Sequence, residues 1–120
     1  MIKVDKNSLY LMPKLLDEIC DRYFRFDAIV FSKDSGELKL FLGEKKRWFF
    51  GEVIISKVLK ITGVTHSSCI DTERIGQNSI KQVHIDLDKG TIDIECHAPA
   101  EMKHSITPDF EISVEKKESK

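Results

Sequence analysis

"HIDLDKGTIDIECHAP", residues 84–99, packs two histidines, four acids and one cysteine into sixteen positions. The period of this stretch decides what those residues are for. Val83, Ile85 and Leu87 alternate with His84 and Asp86, and Ile92, Ile94 and Cys96 alternate with Thr91, Asp93, Glu95 and His97. A strand sends successive side chains to opposite faces. Asp88-Lys89-Gly90 supplies a turn with glycine at the left-handed position. The segment therefore reads as a half-buried antiparallel hairpin, with the aliphatic residues and Cys96 inward and the acids and histidines outward. Pro99 ends the pairing, because it has no N–H to donate.

The rest of the chain is read outward from this hairpin. Asn7 or Ser8 is placed to cap a helix, and Leu9, Met12, Leu15, Leu16, Ile19 and Tyr23 follow at helical spacing. Pro13 falls in the first turn, where a missing N–H costs little. The pattern predicts a helix over about 8–24. From Arg25 the period changes to two, and Phe26, Ala28 and Val30 predict a strand. Lys33-Asp34-Ser35-Gly36 is a turn into a second strand carrying Leu38, Leu40 and Leu42. Residues 52–61 admit two readings. A helix would gather Ile54, Ile55, Val58 and Leu59 on one face, whereas their β-branched character favours a strand. A short strand is expected around 66–72, a loop at Gly76-Gln77-Asn78, and a connection over 101–105. Phe110, Ile112 and Val114 alternate with Asp109, Glu111, Ser113 and Glu115 in a last strand, and residues 116–120 form a frayed tail.

At 120 residues this is one domain, 1–120, and no metal or disulfide is needed to fold it. The expected fold is α+β: an N-terminal helix packed on a curved antiparallel sheet of about five or six strands. No apolar run approaches the ~20 residues of a membrane helix, and the N-terminus lacks the apolar core of a signal peptide. Cys20, Cys69 and Cys96 are odd in number, and their spacings of 49 and 27 fit no zinc or redox motif. They read as free thiols of a cytoplasmic protein. The net charge of −1 argues against nucleic acid as partner. That charge is unevenly spread: residues 1–63 carry +3 and residues 64–120 carry −4. An acidic half favours encounter with a basic partner.

The outward acids Asp86, Asp93 and Glu95 are the first candidates for partner binding, with Asp71, Glu73 and Glu111 behind them. Four or more aligned carboxylates attract a basic surface and raise its on-rate. Trp48, beside Lys45-Lys46-Arg47, is a candidate interface anchor. Two other readings stand beside this one. His84 and His97 with a neighbouring acid would suit a divalent metal or a hydrolytic site, and the chain would alternatively serve as a structural subunit of a larger assembly. Against an enzyme, the sequence holds no phosphate-binding glycine loop and no Gly-x-Ser-x-Gly elbow. No catalytic residue, cofactor or metal is expected.

The stretch "IDTERIGQNSIKQVHIDLDKGTIDIECHAP", residues 70–99, resembles a pattern of small bacterial single-domain proteins. In these a strand, an Ile-Gly loop, a second strand, a turn and a proline-ended strand follow an N-terminal helix. Proteins of that build include immunity proteins, which neutralise polymorphic or contact-dependent toxins by binding them. The resemblance covers about a quarter of the chain and assigns no functional residue. It implies a non-enzymatic cytoplasmic inhibitor that occludes a cognate toxin's active site, often that of a basic nuclease.

Overall fold

The computed structural model describes residues 2–45 and 53–116. Strand β1 (Ile2–Val4) leads through a 3-10 turn into helix α1 (Met12–Ile19). Strands β2 (Tyr23–Arg25), β3 (Val30–Ser32), β4 (Glu37–Lys45), β5 (Val53–Ile70), β6 (Gln77–Asp86), β7 (Thr91–Cys96) and β8 (Glu101–Lys116) follow. Every pairing among them is antiparallel. The order β8-β5-β4-β2-β6-β7 closes on itself through a β7–β8 seam, which makes a six-stranded barrel. β1 extends the sheet beside β8, and β3 beside β4. No described helix is long and apolar enough to cross a membrane.

The antiparallel sheet and the N-terminal helix are as expected, but the sheet has eight described strands and closes. The extra strands are the short ones. Ile2-Lys3-Val4 carries too few residues to show a period, and Tyr23-Phe24-Arg25 overlaps the end of the stretch expected to be helical. The helix stops at Ile19 rather than near residue 24. Cys20 turns to an extended conformation, with φ −61° and ψ 140°, and Asp21 takes φ +65°. The backbone then changes partner: Asp21 N–H donates to Ile80 C=O, and Ile80 N–H donates to Arg22 C=O. Long-range sheet bonds thus outweigh the local helical pattern, which is worth only tenths of a kcal/mol per residue. Leu15 and Ile19 nevertheless form the buried stripe, both fully covered. Ser8 does not cap α1 with its side chain; its hydroxyl accepts from Asp5 N–H and donates to the Asp5 carboxylate.

Phe26–Ala28 is a 3-10 turn, so the first hairpin strand shrinks to Val30–Ser32. The turn to β4 is the expected one, with Gly36 at φ +68°. Residues 53–61 are strand, and the short strand expected near 66–72 is the far half of the same β5. The two halves join at Gly63, φ +78°, where the pairing with β8 shifts register between Thr62 and Val64. A Cβ at Gly63 would meet the Phe110 Cα at 2.9 Å. Pro108 lies on β8 in this irregular stretch, between Ile106 and Glu111, so its missing N–H costs no ladder bond. Residues 101–105, expected as a connection, are the first part of β8. The expected frayed tail is strand at Lys116, paired with Lys57, and otherwise lies outside the described residues. Lys46, Arg47 and Trp48 also lie outside the described residues.

Gly43 faces β5 across a bulge and pairs with Tyr23 of β2 on its other side. A Cβ there would sit 1.8 Å from the Ile54 carbonyl oxygen. Gly43→Ala should therefore lower stability by roughly 2–3 kcal/mol through overpacking. Gly76→Ala should cost about 1 kcal/mol from its backbone alone, because Gly76 has φ +88° and open space around its Cβ position. Urea unfolding midpoints of the two variants measure the difference.

Candidate functional site

The β6–β7 hairpin forms with the expected sidedness. Val83, Ile92 and Ile94 are buried, while His84, Asp93 and Glu95 stand on the outer face. His84 pairs with Asp93 across the strands, and Asp86 with Thr91. Leu87 departs from the expectation. It lies at the turn, beyond the last pair, and is 48% exposed.

Much of the outer charge is engaged within the chain. The Glu95 carboxylate meets His84 Nε2 at 3.2 Å and Lys81 Nζ at 3.3 Å. The bonds from His84 and Lys81 hold its pKa below the usual carboxylate range. Asp86 Oδ1 accepts from Lys89 N–H at 3.0 Å and so braces the turn. Asp88 and Asp93 differ: among the described residues neither is held by an ion pair or a side-chain hydrogen bond. Lys103 stands opposite Asp93 on β8. The face is also concave. An open depression of about 420 Å³ is lined by His84, Asp86, Leu87, Asp88, Lys89 and Asp93, among others.

The remaining sequence candidates fall elsewhere. Asp71 caps the β5–β6 loop, its carboxylate accepting from Ile75 N–H at 3.1 Å and Gly76 N–H at 2.6 Å. Glu73 is exposed in the same loop. Glu111 was expected to join the acidic face if β8 paired alongside β7. β8 does so only through Lys103–Ser105, whereas Glu111 sits in its other half, opposite Thr62 and 3.7 Å from Lys3 Nζ. His84 and His97 are not brought together. His97 N–H donates to Ser79 C=O, five residues along β6 from His84, roughly 17 Å at strand rise. His97 instead meets the Asp21 carboxylate at 2.7 Å. Among the described residues no group of three or more His, Cys, Asp or Glu has metal-binding geometry.

One cluster escaped the sequence reading. His104, on β8, is 1% exposed and pairs with Ile92 at the seam that closes the barrel. Its Nδ1 lies 2.9 Å from Ser67 Oγ, which in turn lies 3.7 Å from Cys69 Sγ. Its Nε2 is buried without a partner among the described residues. Burial drives its pKa down to about 4, against a small opposing pull from Asp93. Burial likewise pushes the Cys69 thiol up, and the Cys96 thiol to about 11. A base titrating near 4 takes up a proton poorly at neutral pH, and buried thiols stay protonated, so the cluster is poised for packing rather than for nucleophilic attack. The signal was present as Met102-x-His104-x-Ile106, a period of two. Pro99 just before it and the charged Glu101 and Lys103 around it mask the signal.

Comparison with protein-family models, with curated proteins and with solved structures finds no match for the chain.

His104 makes stability depend on pH in a defined window. Its folded pKa of about 4 lies below the unfolded value of about 6.5. The unfolded chain therefore binds the proton first as pH falls. The stability from the neutral imidazole is complete above about pH 6.5 and is lost progressively down to about pH 4, some 3 kcal/mol in all. Urea midpoints measured between pH 7 and 4.5 should fall for the wild type. The fall should be much shallower for His104→Leu.

Proposed function

We propose that this chain is a non-enzymatic protein-binding module that receives a basic partner on the concave face of its β6–β7 hairpin. The observation that carries the reading is the pair Asp88 and Asp93. Both line the depression of about 420 Å³, and neither is neutralised by an ion pair among the described residues. Two carboxylates left open in a recess suit an incoming lysine or arginine, which would bring the charge that the fold leaves out. Leu87, 48% exposed beside them, offers apolar contact to the same partner. Asp86 and Glu95 act differently in this reading. They are tied to Lys89, His84 and Lys81, and they shape the recess more than they bind.

In its most specific form the module is a cytoplasmic immunity protein. It seats its recess on a cognate toxin, a basic nuclease domain for instance, and occludes the active site. The acidic balance of residues 64–120 supports a basic partner. The three free cysteines suit a reducing compartment.

The test uses Asp88→Lys/Asp93→Lys, because neither residue braces the hairpin. The variant should keep the wild-type circular dichroism spectrum. Affinity capture from the native cell extract should return one stoichiometric partner with the wild type and lose it with the variant. Binding of the identified partner should weaken with added salt. Co-expression should protect cells from that partner only when the recess is intact. A partner retained by the variant would move the interface off this face, and failure to protect would remove the immunity assignment.

A further inference from the structure

β5 runs far past its β4 neighbour. Their pairing ends at Leu38↔Ile61. One further bond, Val64 N–H to Gly36 C=O at 2.9 Å, ties β5 to the β3–β4 turn. From His66↔Ser105 to Ile70↔Glu101 β5 pairs with β8 on one side. Among the described residues no strand lies on the other side. Thr65 and His66 are exposed, and Ile70 is 49% exposed.

An open edge presents unpaired N–H and C=O groups, and proteins commonly guard such edges by shortness, lysine or proline. The outer edges of the extra strands follow that rule. β1 and β3 have three residues each, and β1 carries Lys3. The β5 edge does not. Thr65-His66-Ser67-Ser68-Cys69-Ile70 holds no Lys, Arg, Asp, Glu or Pro, in a chain whose charged residues make up 32%.

We infer that this edge is the contact with a second copy of the chain, β5 of one protomer pairing antiparallel with β5 of its partner about a twofold axis. A twofold contact presents one patch to itself, so any charge on the edge would face its like. This edge carries none, and that neutrality favours self-pairing over a partner recruited by charge. With Ser68 opposite the partner's Ser68 at the axis, His66 stands opposite the partner's Ile70 on the same face. That pair covers the exposed isoleucine. The sheets of the two barrels become continuous through backbone hydrogen bonds, the mode by which a strand adds to an open edge.

Sedimentation equilibrium of the full chain tests the contact. The wild type should behave as a dimer that dissociates on dilution. His66→Lys/Ile70→Lys places like charges opposite each other and should be monomeric, with an unchanged circular dichroism spectrum. His66→Glu/Ile70→Glu alone should also be monomeric, and an equimolar mixture of the two variants should recover a dimer. Should the double lysine variant misfold, Ser68→Lys, which faces its own copy across the axis, makes the same test with one charge. A wild type that stays monomeric across the concentration range overturns the inference. So does a folded lysine variant that still dimerises, or a mixture that stays monomeric.

Discussion

Everything in this fold is hung on the pairing of β5 with β8. The two strands run 18 and 16 residues, far longer than their neighbours, and stay paired from Lys57↔Lys116 to Ile70↔Glu101, with register shifts between Thr62 and His66. The break lets one strand serve two purposes. The C-terminal part of β8 carries β1, and its N-terminal part meets β7. The barrel closes only through that second contact, three residue pairs from Thr91↔Ser105 to Asp93↔Lys103. A kink was needed to aim the strand, and Gly63 with Pro108 supplies it. Gly63 takes the positive φ and the close approach of Phe110, and Pro108 gives up an N–H where the ladder is already interrupted.

The seam explains why a histidine is buried. His104 stands at the middle pair, opposite Ile92, among a buried set that is mostly apolar. One ring nitrogen meets Ser67, and the other is buried without a partner among the described residues. An aliphatic residue would pack there without a polar group to satisfy. The structure thus carries an ionisable group at the point on which closure depends, and that group stays neutral only because water is kept from it.

The outer face of the hairpin teaches a related lesson about counting charge. Four acids in residues 84–99 suggest a strongly negative surface. Two of them are engaged within the chain: Lys81 and His84 reach Glu95, and the turn amide of Lys89 reaches Asp86. What is left for a partner is narrower than the composition implies, two aspartates in a recess with one half-exposed leucine. The same holds for Asp71, whose carboxylate holds a loop closed, and for Glu111, which faces Lys3 on another part of the sheet.

Local order was legible in the residues themselves. The period of two predicted the β6–β7 hairpin with its sidedness, and a β3–β4 hairpin of whose first strand only Val30–Ser32 formed. Gly36 and Gly90 marked their turns, and the Leu15–Ile19 stripe marked the buried face of the helix, because each depends on neighbours a few positions away. Closure of the barrel, the early end of the helix at Cys20, the separation of His84 from His97 and the burial of His104 were decided by the tertiary structure. Each rests on a hydrogen bond or register between residues distant in the chain: Asp21 with Ile80, Ser79 with His97, Ile92 with His104. Bulges at Leu42/Gly43, at Gly63 and between Ile80 and Gln82 set those registers. A one-residue bulge reassigns every partner beyond it while leaving the local pattern almost unchanged.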